Sequence, residues 1–284
     1  MLGTFLDAAR AHRSASRFGH RNFGERRHGC AVCGSRRARH AKWSVLPDTL
    51  VREWGIGARR ARLYDAREGS ACPNCGASGR SRALALAFLE ARGETGTRPF
   101  RDALADVDGS HIAEINEAKE LHRWLAELPG VRYSEYRSDR TDVPSEDLEQ
   151  LSYADASLAL VFCSDTLEHV PDPVRALAEL ARVLVPGGAA LLTVPLLWHR
   201  STRVRSERTN GELHHHCTPS YHGSRALATP QHGHLVFREF GPDLLDLFAE
   251  HFAVHTVFLD LWHNPFDCAF ILRRPPHVEQ PRSG

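Results

Sequence analysis

The chain has 284 residues, of which 42% are hydrophobic and 25% are charged. These proportions are ordinary for a soluble globular protein, and they exclude a collagen and a wholly disordered chain. A membrane protein and a membrane partner are excluded as well, because no apolar run approaches the roughly 20 residues that span a bilayer. The first 25 residues lack the apolar segment of a signal peptide, so we expect a cytoplasmic protein.

The charges are distributed unevenly along the chain. Residues 1–82 hold 17 Lys or Arg and 6 Asp or Glu, a net charge of +11, whereas residues 83–284 have a net charge of −10. A basic module thus precedes an acidic body. Either the module binds an anionic partner such as a nucleic acid, or the two parts pack on each other.

Residues 1–20 favour a short amphipathic helix, and the segment that follows contains two Cys-x-x-Cys pairs. Cys30 and Cys33 form the first pair, Cys72 and Cys75 form the second, and a glycine follows each pair. Two thiolates at this spacing bind one ion when the backbone turns tightly, and glycine tolerates the positive φ of such a turn. We therefore expect one structural Zn²⁺ with four sulfur ligands, rather than a redox pair or disulfides.

From residue 81 onward, helical and extended segments alternate. Helices are predicted at 81–92, 117–128, 173–184 and 242–252, strands at 111–115, 131–136, 158–163, 189–194, 254–259 and 268–272, and a turn at 186–188. Strands separated by helices imply an α/β fold with a doubly wound, mostly parallel sheet. Continuously apolar strands such as 158–163 suit the buried centre of that sheet.

The chain is divided accordingly into two domains and a tail. Residues 1–82 form the basic zinc-binding module, which resembles a zinc ribbon, and residues 83–273 form the α/β domain. Residues 274–284 form a disordered tail. Within the α/β domain, residues 196–240 are an insertion that contains seven histidines.

Residues 146–195 carry a series of spaced motif residues: Asp147-Leu148, Leu167-Glu168-His169-Val170, Arg182-Val183-Leu184 and Pro186-Gly187-Gly188. This series resembles the class I S-adenosylmethionine-dependent methyltransferases, in the large group with the signature D-L-x-x-L, L-E-H-V-x-D and E-x-x-R-V-L-x-P-G-G. The two cysteine pairs and the Tyr-His-Gly segment at 221–223 resemble a subgroup of that family with a Cys-rich N-terminus. The resemblance implies a seven-stranded Rossmann-like fold, S-adenosylmethionine as cofactor and methyl transfer (EC 2.1.1.-) as the reaction.

The same resemblance implies five cofactor-binding residues. Glu135 matches the carboxylate that binds the ribose hydroxyls, and Asp147 with Leu148 matches the pair that contacts the adenine. Ser164 follows the fourth strand, at the edge where open α/β sheets bind ligands. Glu114 stands in the place of the acid in the family's first motif. For Asp147, the alternative is that it caps a turn or helix.

The first motif departs from the family pattern. The family has a strand followed by E/D-x-G-x-G, whose glycines let the backbone approach the methionine end of the cofactor. Residues 111–118 (HIAEINEA) contain no glycine. Either Glu114 or Glu117 replaces the acid and the methionine end is held differently, or the fold has lost tight cofactor binding.

Methyl transfer requires positioning and often a base, and histidine suits that role near neutral pH. Asp165 and His169 are candidates, and their D-x-x-E-H spacing is similar to the E-x-x-E-H of ubiquinone-pathway O-methyltransferases, which binds a divalent cation. His216 and His222 are further candidates, because inserts after the fifth strand commonly cover the substrate. The alternatives are that Glu168 and His169 cap the next helix, that residues 214–217 bind a second metal, or that the insertion is a solvated loop.

Three functions compete at this point. The first is a methyltransferase that acts on oxygen or nitrogen of a small molecule, such as a secondary metabolite. The second is an RNA methyltransferase whose basic zinc module contacts the phosphate backbone. The third is a non-methylating protein on the same fold, which the missing glycines favour.

Overall fold

A central sheet of seven strands organises the chain, which this computed structural model describes at residues 2–24, 28–37, 40–41, 45–94, 98–138, 140–222 and 234–276. The N-terminal elements are α1 (Leu2–Ser16), β1 (His20–Asn22), β2 (His40–Ala41), α2 (Asp48–Trp54), α3 (Ala58–Gly69), β3 (Ser70–Ala71), α4 (Gly79–Ala91) and α5 (Phe100–Leu104). The central elements are β4 (Ile112–Ile115), α6 (His122–Leu125), β5 (Arg132–Ser134), β6 (Leu158–Ser164), α7 (Pro173–Val183) and β7 (Leu184–Thr193). The C-terminal elements are β8 (Arg203–Val204), β9 (Ser206–Thr209), β10 (Glu212–His215), β11 (Tyr221–His222), β12 (His234–Leu235), β13 (Arg238–Glu239), α8 (Leu244–Ala249), β14 (Ala253–Asp260) and β15 (Asn264–Arg273).

The strand order across the sheet is β1-β14-β15-β7-β6-β4-β5. Strand β4 pairs in parallel with β5 and β6, β6 pairs in parallel with β7, and β1 pairs in parallel with β14. Only β15 runs antiparallel to its neighbours, between β7 and β14. This mostly parallel seven-stranded sheet, with helices on both faces, confirms the predicted doubly wound α/β fold.

Helices cover both faces of the sheet and close two apolar cores. Phe88 of α4 and Phe100 of α5 lie with Phe162 of β6 in one core, with ring centroids 5.9 Å and 6.3 Å from that of Phe162. Leu180 of α7 and Phe248 of α8 lie in the other core. Side chains alternate along a strand, so the apolar run of β6 supplies both cores at once.

Helix α7 shows why an element begins where it does. The Asp172 carboxylate accepts hydrogen bonds from the backbone N–H groups of Val174 and Arg175, and Pro173 occupies the first turn. A carboxylate at this position satisfies N–H groups that lack partners within the helix, and proline has its φ preset for the helix. The observed helix matches the prediction for 173–184 to within one residue.

Some predicted elements differ from the structure. The turn predicted at 186–188 lies within β7, where Gly187 has a φ of +82° and the register of the β6–β7 pairing shifts. A glycine at positive φ allows a strand to continue through such an irregularity. The helix predicted at 117–128 is a 3₁₀ turn (Lys119–Leu121) followed by α6, because Lys119 itself has a φ of +53°. The helix predicted at 242–252 is reduced to α8.

The N-terminal region packs directly on the sheet. Ala8, Ala11 and Ala15 of α1 are fully buried, β1 extends the sheet beyond β14, and α4 crosses β7, β14 and β15. The boundary predicted after residue 82 falls inside α4, and the division into domains stays a prediction. Residues 277–284 of the predicted tail lie outside the described residues. None of the described helices combines the length and the apolar character needed to cross a membrane.

Candidate functional site

The four cysteines of the two pairs meet in the N-terminal region. The Sγ atoms of Cys30 and Cys75 are 3.7 Å apart, as are those of Cys33 and Cys72, and all four sulfurs are buried within 4.8 Å of one another. Bonds of about 2.3 Å to a tetrahedral ion place sulfur ligands roughly 3.8 Å apart. The donor set and its spacing therefore fit one Zn²⁺, and four protein ligands leave no coordination position for a substrate.

The two cysteine pairs have the same backbone geometry. The N–H of Gly34 donates to the carbonyl of Cys30 at 2.7 Å, and the N–H of Gly76 donates to that of Cys72 at 2.8 Å. Gly34 and Gly76 have φ values of +75° and +77°, as the sequence predicts. A side chain at either position would strain the turn that brings the two thiols of each pair together.

A cavity of about 1000 Å³ lies at the carboxyl ends of β4, β5, β6 and β7. One wall consists of residues that directly follow these strands. The opposite wall comes from α2, α3 and the segment before them, together with β11 and β12 of the insertion. Ligand sites of α/β proteins lie at this edge of the sheet.

Four of the five predicted cofactor residues line this cavity, namely Glu135, Asp147, Leu148 and Ser164. Glu135 directly follows β5, and its carboxylate accepts a hydrogen bond from the Tyr133 hydroxyl. Leu148 is buried, whereas Glu135 and Asp147 are half-buried and face the cavity. The structure thus brings the Glu135 carboxylate together with Asp147 and Leu148, which follow it about a dozen residues later in the sequence.

Asp147 and Ser164 also make contacts within the protein. The Asp147 carboxylate accepts from the backbone N–H of Glu149 at 2.9 Å, so it closes a turn as well as lining the cavity. The Ser164 hydroxyl at the end of β6 lies 3.0 Å from the hydroxyl of Thr193 on β7. Both residues are therefore held in place before any ligand binds.

Glu114 lies behind the cavity wall. Its fully buried carboxylate accepts hydrogen bonds from the backbone N–H of Ala118 and from Nδ1 of His122, both at 2.8 Å, and burial raises the pKa of Glu114. The side chain therefore shapes the turn after β4 and does not reach the cavity. Glu117, the other acid considered for this motif, lines the cavity.

The turn after β4 keeps a left-handed backbone without glycine. Asn116 occupies the place of the motif's first glycine and has a φ of +57°. Its side-chain oxygen accepts from the backbone N–H of Tyr136 at 2.8 Å, and its amide donates to the Thr166 hydroxyl at 3.3 Å. Asparagine tolerates this conformation better than most other residues with a side chain. The special backbone of the motif is thus retained by a different residue.

Asp165 is held by two arginines of the N-terminal region. Arg67 of α3 donates to both carboxylate oxygens, at 2.6 Å and 2.7 Å, and Arg80 of α4 donates to one of them at 2.7 Å. The Arg67 side chain is only 1% exposed. Burial opposes the ionisation of Asp165, but the two guanidinium groups outweigh it and hold the pKa of Asp165 well below its usual range. Three charge-assisted hydrogen bonds thus engage both oxygens of this carboxylate.

Glu168, His169 and His222 form a second cluster at the cavity wall. His169 Nε2 lies 3.2 Å from His222 Nδ1 and 3.6 Å from a carboxylate oxygen of Glu168, and His222 Nδ1 lies 3.7 Å from that same oxygen. Burial, together with the charge of Asp165, raises the pKa of Glu168 well above its usual value. Burial and the neighbouring His222 lower the pKa of His169 to about 3, so His169 is a neutral imidazole near neutral pH.

The remaining histidine candidate, His216, lies away from the cavity. It is exposed, and its Nε2 is 3.2 Å from a carboxylate oxygen of Glu207 in β9. Residues 214–217 do not converge on a common point in the described part of the insertion. Of the histidines proposed for catalysis, His169 and His222 line the cavity and His216 does not.

The outer wall of the cavity is anchored by buried charges. Arg205 of the insertion is 1% exposed and donates to Glu239 at 2.5 Å and to Glu53 of α2 at 2.8 Å. Trp54 Nε1 also donates to Glu239, at 2.7 Å, and the Trp54 ring lies 5.1 Å from that of Tyr64. The N-terminal region and the insertion are thus joined over the cavity.

Arg67, Arg80 and Asn116 are among the site residues that were not identified from the sequence. Arg67 and Arg80 lie in an arginine-rich stretch, and nothing in that stretch distinguishes them from their neighbours. Asn116 could have been identified from the sequence, because asparagine is a common substitute for glycine at positive φ.

Residues 117–192 match the family described as "Methyltransferase domain". An "Uncharacterized methyltransferase" of Mycobacterium sp. (strain JLS) is 33% identical over 94 residues, which are 33% of each chain. A "Dimethylglycine N-methyltransferase" of Parasynechococcus marenigrum (strain WH8102) is 41% identical over 54 residues, which are 19% of each chain. The aligned region thus spans about a third of the first of these relatives and less of the second. Residues 117–192 are therefore similar in sequence to a methyltransferase domain.

Among solved structures, the chain is similar to the 1,6-didemethyltoxoflavin-N1-methyltransferase of Burkholderia thailandensis. The two sequences are 15% identical, and the match covers 71% of this chain and 92% of that one, with a TM-score of 0.38.

Proposed function

We propose that this protein is an S-adenosylmethionine-dependent methyltransferase that methylates oxygen or nitrogen of a small molecule. The observation that carries the proposal is the cavity at the strand ends, which is lined by residues from within and around the segment that matches the methyltransferase domain. Glu135, Asp147, Leu148 and Ser164 line it together. Methyl transfer is the activity that both the cavity and the match to a methyltransferase domain support.

The cofactor end of the cavity fits a nucleoside. Glu135 has a carboxylate that can accept from two vicinal ribose hydroxyls. The Asp147 carboxylate can accept from the exocyclic amine of adenine, and Leu148 provides an apolar surface for the ring. Asn116 and Glu117 lie where the methionine end belongs, on a turn whose left-handed conformation keeps the backbone close to the cavity.

The acceptor end of the cavity favours a small molecule. Trp54, Tyr64 and Leu197 give it apolar surface, and the link between Arg205 and Glu239 closes the wall behind them. A cavity of about 1000 Å³ is at the upper end of the range typical for small ligands, which suits a cofactor and a second small molecule together. A nucleic-acid strand, by contrast, requires an open groove lined by basic residues. The cavity therefore favours a small-molecule acceptor over RNA.

S-Adenosylmethionine supplies a methyl group on a sulfonium, which is already a reactive electrophile. The protein therefore has to align the acceptor and remove its proton. His169 and His222 lie at the cavity wall with nitrogen atoms turned toward one another. A neutral imidazole offers a lone pair, which either accepts the acceptor's proton or binds a metal ion that activates the acceptor. Asp165 serves indirectly, by fixing Arg67 and Arg80.

We also assign a structural Zn²⁺ to Cys30, Cys33, Cys72 and Cys75. The two matched turns and the buried cluster of four sulfur atoms support this assignment. The ion would hold the segment before α4, because thiolate ligands on both sides of residues 34–71, which contain α2 and α3, fix the two ends of that segment.

The test of the proposed activity is calorimetric titration of the full chain with S-adenosylmethionine and with S-adenosylhomocysteine. We expect saturable binding of one molecule per chain, and formation of S-adenosylhomocysteine when small phenols, carboxylates or amines are screened as acceptors. An absence of binding heat at high cofactor concentration would overturn the proposal and leave a non-methylating protein on this fold.

A further inference from the structure

We propose that His222, from the insertion, completes a divalent metal site with Glu168 and His169, and that Asp165 takes no part in it. The D-x-x-E-H spacing alone suggests a site that includes Asp165. The structure assigns that carboxylate to Arg67 and Arg80 and brings in a histidine 53 residues beyond His169 instead.

The first argument is the state of the Glu168 carboxylate. Its side chain is 2% exposed, and neither carboxylate oxygen has a hydrogen-bond partner among the described residues. A buried carboxylate without partners is unfavourable unless a cation or a proton compensates it. The arginines that lie nearby are hydrogen-bonded to Asp165, and two imidazoles lie within 3.7 Å of a Glu168 carboxylate oxygen.

The second argument is the orientation of His169. Its Nδ1 lies 2.9 Å from the backbone carbonyl of Leu235. A carbonyl oxygen only accepts, so Nδ1 carries the proton and donates, and the lone pair is on Nε2. That lone pair faces His222 and Glu168. Metal-binding histidines are typically oriented in this way, by a hydrogen bond from the nitrogen that does not bind the ion.

The third argument is distance. The three ligand atoms of the cluster are separated by 3.2 Å, 3.6 Å and 3.7 Å. Bonds of about 2.1 Å to a tetrahedral ion place its nitrogen and oxygen ligands roughly 3.4 Å apart. The cluster therefore already has the size of three corners of a coordination sphere. Two imidazoles and one carboxylate suit Zn²⁺ and other divalent transition metals.

All three side chains line the cavity, so the remaining coordination positions are accessible from it. If the proposed methyltransferase activity holds, an acceptor with an oxygen or nitrogen donor would bind there, and the ion would lower the pKa of that donor. The binding of the metal does not depend on that activity. The two claims can therefore fail separately.

The experiment is metal analysis of the full chain after equilibrium dialysis against micromolar Zn²⁺. We expect two zinc ions per chain, one at the cysteines and one at Glu168, His169 and His222. His222→Ala and Glu168→Gln should each hold one. The matched control is His214→Ala, which removes another histidine of the insertion, one that is exposed and away from the cluster. This control should still hold two.

The zinc that remains at the cysteines reports that each variant is folded. As a second readout, Co²⁺ is added to protein that carries one zinc per chain. We expect the visible absorption of cobalt with nitrogen and oxygen ligands, without the charge-transfer absorption of a sulfur ligand. A single zinc per chain in the parent protein, or two in His222→Ala, would overturn the proposal whatever the result of the cofactor titration.

Discussion

The described residues contain two clusters of side chains with the donor atoms and spacing to hold a metal ion, and the clusters differ in how much of a coordination sphere they supply. The cysteine cluster has four identical ligands, all buried, on two turns with the same geometry. The cluster of Glu168, His169 and His222 has three ligands of two kinds, on the wall of a cavity. A metal ion with four protein ligands can only stabilise the fold, whereas an ion with three protein ligands has a coordination position left for a substrate.

The two clusters also differ in how the chain builds them. Each cysteine turn is local, so its geometry depends on a glycine and two hydrogen bonds. The second cluster depends on the long-range position of the insertion and on the arginines that occupy Asp165. Changes at the cysteines should therefore affect stability most, and changes at the second cluster should affect ligand binding more than folding.

The largest effect is expected from Cys72→Ser. Loss of a thiolate opens the coordination sphere, and removal of a structural metal is among the few single changes that cost on the order of 4 kcal/mol or more. We expect one zinc fewer per chain and a correspondingly lower free energy of unfolding in urea. Cys217→Ser, at a half-buried thiol outside the cluster, is the control and should change neither quantity. If Cys72→Ser kept its full stability and its full zinc content, the cysteine cluster would have no structural zinc role.

Asp165→Asn is expected to cost about 3 kcal/mol of unfolding free energy. The change removes the carboxylate that both Arg67 and Arg80 contact and leaves Glu68 as the remaining acid beside them, and a buried charge that loses its main partner is strongly destabilising. Glu168→Gln should cost clearly less, because neither carboxylate oxygen of Glu168 has a hydrogen-bond partner among the described residues. Chemical denaturation of both variants compares them directly. Equal losses would mean that Asp165 and Glu168 have the same structural role.

Asp147→Ala is expected to weaken binding of S-adenosylmethionine at least about tenfold, or about 1.4 kcal/mol. The change removes the carboxylate assigned to the adenine while leaving both metal clusters intact. Asp142→Ala is the control, because Asp142 is an exposed aspartate of the same segment and lies outside the cavity lining. Calorimetry on the two variants gives the comparison, and an unchanged dissociation constant in Asp147→Ala would remove this residue from the cofactor site.

The smallest effect is expected at Asn116. Asn116→Ala forces an alanine to adopt a φ of +57° and should cost about 1–2 kcal/mol of stability. Asn116→Gly keeps the backbone relaxed and loses only the side-chain hydrogen bonds, so it should be the more stable of the two and bind cofactor more tightly. Thermal unfolding and calorimetry measure both effects. A less stable glycine variant would contradict the assignment of this turn.

Most of the sheet could be predicted from the sequence. The strands β6 and β7 are continuous apolar runs, and α7 has a capping aspartate, a proline in its first turn and an apolar stripe. These signals are local, and the structure confirms them. The turn expected at 186–188 was wrong because glycine at positive φ also occurs in irregular strands, and local sequence does not distinguish the two cases.

The candidate site could be predicted only where its signals are local. The four cysteines and the residues that follow the strands were identified, because motif spacing and strand ends place them. The Arg67–Asp165–Arg80 group was not, since each arginine is ordinary in its own stretch and the group exists only after α3 and α4 pack on the sheet. For Glu114 the motif position was clear, but only the structure shows that His122 and Ala118 engage its carboxylate.

The short strand β1 has a consequence of its own. It lies at the outer margin of the sheet, where it pairs with β14 over three residues. An uncovered strand offers a row of free N–H and C=O groups, and such rows recruit strands of other molecules and lead to aggregation. Trimming the chain past Asn22 would expose β14 in this way. With β1 in place, the free margin of the sheet is a strand of three residues instead of the eight of β14, so fewer N–H and C=O groups are open to the strand of another molecule.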